Sequence, residues 1–429
     1  MEIINFHPNY TRLSVKKKST FFDLLFNYIS LLIGGVSGIF INIYISYYYG
    51  PKGLGVFNQI YAFYVILSQF SAGGIHLSAL KHVAAWQGSS AHLSRIAWSA
   101  LCLSLPISGL FVFLCYMASF FLPNSQVSQG LRYASLGLVF FSCNKIMLFT
   151  LNALQEMRLL SFWQGVRFIL MILFVFILIH FENTIAVLGL IFTFSESVLF
   201  LGLLLTNLYK LPQFHRGLNC HWMKAHFFFG LRGFCNGLLL EINTRVDILL
   251  LGIFTNDMIV GLYSFASMLI EGILGLLVVV RNQINPLLAK LLKEKNTVEI
   301  KNIFKKISVY MYLFSFLIFI IAMPCYDFVF SFLLHLNSFS ESRYFFLILL
   351  SGVCIYSAYF PFDNMLMLAG YPEKQSLLAF FATATNITLN LCFMPLAGAY
   401  GAALATSLAM ILTLLYLKIM IKKCLNFSL

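Results

Sequence analysis

Residues 159–181 read LLSFWQGVRFILMILFVFILIHF. Within them Phe168 to Ile179 is an unbroken run of twelve apolar residues. A half-buried strand alternates apolar and polar residues, and an amphipathic helix keeps a polar face. This run does neither. About 20 such residues in a helix match the hydrocarbon thickness of a bilayer, and lipid tolerates an all-round apolar surface that water does not. Eleven further runs of this kind lie near 21–48, 54–72, 96–122, 131–153, 185–209, 227–254, 260–282, 304–325, 343–370, 375–393 and 397–417. The expected fold is all-α and polytopic, with about 12 transmembrane helices.

Composition agrees with that reading. Of 429 residues 60% are hydrophobic and 10% charged, with 46 Phe and a mean hydropathy of +0.87. A soluble domain carries about 25% charged residues. The net charge of +13 invites a nucleic-acid partner. Its placement excludes one: the bases sit in short segments between apolar runs and form no single folded face. The nine cysteines include no C-x-x-C pair, so no disulfide framework is expected, and they read as small buried hydrophobes. Neither a P-loop nor a Rossmann fingerprint is present. No cofactor, metal or catalytic residue is expected.

The bases set the topology. One side of the alternation takes Arg12, Lys16, Lys17, Lys18, Lys81, Arg95, Arg158, Lys210, Arg216 and Lys224. It also takes Arg281, Lys290, Lys293, Lys295, Lys301, Lys305, Lys306, Lys374, Lys418, Lys422 and Lys423. The other side takes only Lys52, Arg132 and Arg343. Positive residues are retained in the cytoplasm, so the base-rich side, with both termini, is expected there. The stretch from Phe21 is too long for a signal peptide and is expected to remain as the first helix.

The chain divides into residues 1–209, a cytoplasmic connecting loop at 210–226, and residues 227–429, as two six-helix lobes. They form a weak internal repeat. Phe21-Phe22 falls on Phe227-Phe228, and Leu54-Gly55-Val56-Phe57 on Val260-Gly261-Leu262-Tyr263. Short turns, Gly50-Pro51-Lys52-Gly53 and Thr255-Asn256-Asp257, precede the second pair. Equal halves of six helices run in the same direction, a parallel repeat.

Ionisable side chains within a span cost several kcal/mol and face a cavity or a partner. The bases are Lys145, Arg167, Arg232 and Arg245, and the acids Glu196, Glu241, Asp247, Glu271 and Asp363. Arg167 either lines an aqueous cavity with Gln164 or pairs with Glu196 of the next span. The seventh span is the most polar. Arg232, Asn236, Asn243 and Asp247 share one face of it, and Glu241 and Arg245 stand i to i+4 on the opposite face. Either it bends near Gly233 and Gly237 or protein and water surround it.

Neutral polar stripes read as helix packing. Asn27, Ser30, Gly34, Gly38 and Asn42 share a face of the first span, and Thr383, Asn386 and Asn390 one of the eleventh. Pro106 and Pro361 should kink their spans. His215, Cys220, His221 and His226 cluster around the connecting loop without a closed metal-ligand pattern.

At several points the chain resembles the Wzx-type polysaccharide flippases of the multidrug/oligosaccharidyl-lipid/polysaccharide exporter superfamily. Residues 50–58, GPKGLGVFN, resemble that family's second-helix start, and residues 243–252, NTRVDILLLG, its seventh-helix signature. Val260-Gly261-Leu262-Tyr263-Ser264-Phe265-Ala266 follows, with Glu271 and Pro286, and residues 398–406, GAYGAALAT, resemble the start of its last helix. Met268 departs from the pattern, standing where many relatives carry a base.

The resemblance implies two six-helix lobes in a V around a central cavity. It implies an undecaprenyl-pyrophosphate-linked oligosaccharide, an O-antigen or related repeat unit, flipped by alternating access across the inner membrane. A polysaccharide polymerase and a chain-length regulator are the implied partners. Lys145, Arg167, Arg232 and Arg245 are then expected to form a cationic cavity for the pyrophosphate. Glu241, Asp247 and Asp363 are the candidate coupling acids. The alternatives are a membrane polysaccharide polymerase or ligase, which short outer loops disfavour, and a cation-coupled multidrug exporter, which a basic cavity disfavours.

Overall fold

A computed structural model describes residues 20–85, 90–181, 184–211, 219–326, 328 and 337–427. Arg12, Lys16, Lys17, Lys18, His215 and Arg216 lie outside the described residues, as do the side chains of Phe21, Phe22, Asn27 and Asn236. Among the described residues every regular element is helical. The first half comprises α1 (Thr20–Ala72), α2 (Ile75–Ala85), α3 (Ser90–Ser119), α4 (Ser125–Ser135), α5 (Gly137–Ala153), α6 (Met157–Phe181) and α7 (Leu190–Lys210). The second comprises α8 (Cys220–Phe254), α9 (Asp257–Lys293), α10 (Thr297–Tyr326), α11 (Ser342–Ser357), α12 (Met365–Leu368) and α13 (Pro372–Leu425).

Among the described residues seven helices are long and apolar enough to cross a membrane, or nine with two bent pairs. Two of the seven are double. α1 breaks at Gly50 (φ 65°) and α13 at Gly398 (φ 56°), backbone conformations open to glycine without steric cost. Pro51 then begins the next helix with its φ already set. α8 is long enough at 35 residues but carries Arg232, Glu241, Arg245 and Asp247. With these two splits and α8 counted, twelve helical segments among the described residues match the twelve apolar runs.

Asn124 caps α4, its Oδ1 accepting from the backbone N–H groups of Gln126 and Val127, and α4 meets α5 at 47°. The expected break at Pro361 is a 53° bend between α11 and the short turn leading into α12. Pro106 lies within a continuous α3. One helix was not expected. α2 follows the positive-φ pair Gly73 and Gly74, in a stretch whose His76, Ser78, Lys81 and His82 read as a loop.

The repeat has a physical counterpart. Gly55 of α1 and Gly261 of α9, aligned by the repeat, pack directly against each other. A Cβ on Gly55 would overlap the carbonyl oxygen of Asp257, four residues before Gly261. A Cβ on Gly261 would overlap that of Pro51, four residues before Gly55. The two helices therefore cross backbone to backbone, as small residues allow in membranes. One turn further, Asn58 Nδ2 donates to Ser264 Oγ at 3.1 Å and to Asn42 Oδ1 at 3.0 Å. Beside the crossing, Asp257 Oδ1 accepts from Gln59 Nε2 (2.8 Å) and Asn124 Nδ2 (2.7 Å). These contacts join the halves at the base-poor end.

The polar stripes do pack helices together. Gly34 leaves room for the ring of Phe168 on α6. Thr383 Oγ1 donates to the Leu239 carbonyl, and Asn386 Nδ2 to that of Asn243, tying α13 to α8.

Candidate functional site

Three of the four expected bases meet on one seam between the halves. In the first half, Lys145 of α5 donates from Nζ to Gln69 Oε1 of α1 at 2.7 Å. Arg167 of α6 makes a two-point pair with Glu196 of α7, at 2.9 and 3.1 Å. Asn144 completes that group, its Nδ2 donating to Glu196 Oε2 at 2.7 Å and to the Glu196 carbonyl at 2.8 Å. Phe141 lies beneath both bases, with Arg167 5.0 Å and Lys145 5.7 Å from its ring centre. Of the two readings open for Arg167, the pairing with Glu196 is the one that forms.

In the second half, Arg245 of α8 donates to both carboxylate oxygens of Glu271 on α9, at 2.7 and 3.1 Å. Its i−4 neighbour Glu241 is left out of that pair. A flat two-point fit to one carboxylate is the stronger arrangement. Arg245 also stacks 5.0 Å over the ring of Tyr61 from α1, which bridges the halves. Tyr61 stacks on Phe192 of α7 at 5.7 Å, Phe192 on Tyr64 at 4.5 Å, and Tyr64 meets Phe141 edge-on at 6.2 Å. One aromatic stack thus links Arg245 to the ring beneath Arg167 and Lys145.

The charge balance of the seam differs from a purely cationic lining. Lys145, Arg167 and Arg245 stand among Glu196, Glu241 and Glu271, three bases with three acids. Arg167 and Arg245 are already neutralised by carboxylates, whereas Lys145 donates to a neutral amide. Arg232 stands apart. It lies nine residues before Glu241 on α8, about 13 Å along the axis at 1.5 Å per residue, and is exposed.

The remaining acids lie elsewhere in the second half. Asp247 is buried, accepting from Tyr263 Oη at 2.6 Å and from the Ile248 N–H at 2.9 Å. Asp363 pairs with Arg281 at 2.7 Å, and its carbonyl accepts from Gln375. Among the described residues no group of three or more His, Cys, Asp or Glu could hold a metal.

Reasoning from charge alone missed Tyr61, Gln69 and Asn144. Buried amides in a span carry the same desolvation problem as charges, in milder form, and a search for them would have found Gln69 and Asn144.

The sequence family described as Polysaccharide biosynthesis protein matches residues 18–292. The chain belongs to this family. No curated protein sequence matches it. In fold this family member is similar to the lipid II flippase MurJ in an inward closed conformation. The TM-score is 0.71 and the identity 17%, over 93% of this chain and 87% of that one. It is also similar to an inward-facing multidrug resistance MATE transporter of the MOP superfamily, at TM-score 0.70 and 15% identity over 92% and 95%. A MOP superfamily transporter from Pyrococcus furiosus gives 0.58 and 14%, over 95% and 96%. At such identities the likeness is one of fold, and the chemistry must come from the site. The family member is thus a multi-pass, all-α membrane protein with a transporter fold.

Proposed function

We propose that this protein flips an undecaprenyl-pyrophosphate-linked oligosaccharide, an O-antigen or related repeat unit, from the cytoplasmic to the outer leaflet of the bacterial inner membrane. The observation that carries the reading is the mixed-charge seam, whose Lys145, Arg167, Glu196 and Glu271 fall near mid-span by residue count, in a polysaccharide-biosynthesis family member. A sugar diphosphate is anionic and hydroxyl-rich. It needs cations and hydrogen-bonding side chains across a layer that otherwise offers none. The polyprenyl tail stays in lipid.

In this reading residues 1–209 and 227–429 act as two lobes joined by 210–226, and the termini and base-rich loops are cytoplasmic. The flipped unit passes to a polymerase and a chain-length regulator. Arg232 meets the headgroup before it reaches the seam. Lys145 makes the principal diphosphate contact, because Arg167 and Arg245 already have carboxylate partners. Glu241 and Asp247 remain as coupling acids, and Asp363 couples only when Arg281 releases it.

Two tests follow. In a deletion strain the lipid-linked repeat unit should accumulate on the cytoplasmic membrane face, with plasmid rescue as control. Unpolymerised units on the outer face would indicate a polymerase, and drug sensitivity with normal lipid-linked sugar an exporter of drugs. Within the seam, Lys145→Ala should lower export about tenfold or more, the worth of a hydrogen bond to a charged group. Membrane abundance should stay normal and Lys145→Arg should retain most activity. Full export by Lys145→Ala would remove Lys145 from the site.

A further inference from the structure

α8 belongs to both halves. Beyond Leu239 its side chains and carbonyls bond to the second half, through Thr383, Asn386, Glu271 and Tyr263. Its first turns bond to the first half instead. His226 has 0% exposure, and both ring nitrogens are used there. Nε2 lies 3.0 Å from the carbonyl of Ile96 on α3, and Nδ1 2.9 Å from Ser78 Oγ on α2. A carbonyl only accepts, so Nε2 carries the hydrogen and Nδ1 accepts from the serine hydroxyl.

The surrounding packing belongs to the same contact. His82 of α2 meets the rings of Trp222, His226 and Phe229 edge-on, at 5.5, 5.8 and 5.7 Å. Lys81 lies 4.3 Å over the Phe229 ring. Gly230 packs on the turn before α2: a Cβ there would fall 2.8 Å from the Gly73 carbonyl oxygen, and one on Gly74 would overlap that of Gly230. Backbone touches backbone here, as it does at Gly55 and Gly261.

Gly233 still packs on Leu77 of α2, at the end of the first attachment, and Gly237 lies between the two. Gly237 has no atom within 4 Å of where its Cβ would stand. Two glycines a turn apart make this the weakest point of the helix against bending.

We propose that the first three turns of α8 are a latch that closes the base-rich end of the seam, with His226 as its bolt. Release of Ser78 and Ile96, with a bend at Gly233 and Gly237, opens that end. The Gly55–Gly261 crossing closes the other. The proposal rests on the alternating-access part of the functional reading and is independent of the sugar.

The test reads access alone. In a background with the nine native cysteines replaced, Lys145→Cys serves as reporter in inverted vesicles, and a membrane-impermeant maleimide probes it from the cytoplasmic face. Adding His226→Leu keeps the side-chain volume and removes both hydrogen bonds. Labelling should rise about tenfold, as expected for losing two net-favourable bonds of this kind. Ser78→Ala, a smaller change that keeps the fold if His226→Leu does not, should give an intermediate rise. Unchanged labelling in well-folded Ser78→Ala and His226→Leu proteins overturns the latch. That result leaves the substrate reading standing. Normal lipid-linked sugar in the deletion strain sinks the substrate reading and leaves the latch.

Discussion

Gly55→Ala and Gly261→Ala are each expected to abolish export, at unchanged or mildly lowered abundance. The added methyl would overlap a backbone carbonyl oxygen, of Asp257 in one case and Pro51 in the other. A flexible side chain can swing away from such an intruder, but a helix backbone cannot. The helices must therefore part. Parting weakens the Asn58–Ser264 bond and the two amide contacts to Asp257. Overpacking costs about 1–3 kcal/mol and each lost hydrogen bond about 1 kcal/mol. The closed fraction at the base-poor end should then fall about a hundredfold or more. Complementation of polysaccharide synthesis reads the loss of export. Maleimide labelling of Leu262→Cys, buried beside the crossing, from the outside reads the opening, and should be slow with Gly55 and fast with Ala. Full complementation by both alanine variants would mean the crossing never needs to close.

The largest effect on stability is expected at Glu196. It is 4% exposed and takes the Arg167 guanidinium together with the Asn144 amide. Glu196→Ala leaves Arg167 as a half-buried charge without its counter-charge and Asn144 short of an acceptor. Removing one partner of a buried pair costs about 3–5 kcal/mol, whereas replacing both by apolar residues of similar size is often neutral. Thermal unfolding in detergent should accordingly show a marked fall for Glu196→Ala. The double variant Glu196→Leu, Arg167→Met should return towards wild type. Equal destabilisation of single and double variants would place the effect outside the pair.

The contrast between these two sites shows what the sequence makes legible. Apolar run length is a property of consecutive residues, and the spans follow from it. So do the breaks at Gly50 and Gly398, since positive φ favours glycine. α2 escaped because its four polar side chains interrupt the apolar pattern, although three of them, Ser78, Lys81 and His82, pack on the neighbouring helix α8. The repeat aligned Gly55 with Gly261, but alignment says nothing about contact. Partner choice is set by three-dimensional proximity. Arg245 has Glu241 one turn earlier, a spacing that favours pairing in an isolated helix. Yet both of its terminal nitrogens go to Glu271, 26 residues away. The neutral partners Gln69, Asn144 and Tyr61 carry no charge to mark them within their apolar runs.

The reciprocal geometry at Gly55 and Gly261 is that of an isologous interface, in which residue i meets j and j meets i, as in a symmetric dimer. Two separate subunits would need a wide apolar face to stay together against dilution. Here both surfaces are on one chain, and association is intramolecular. The contact therefore need not hold the halves together by itself, although Leu54, Phe57, Val260 and Tyr263 beside the glycines are buried in one apolar core. A close-packed crossing that parts in this way reforms with its partner still tethered beside it, which two free subunits could not count on.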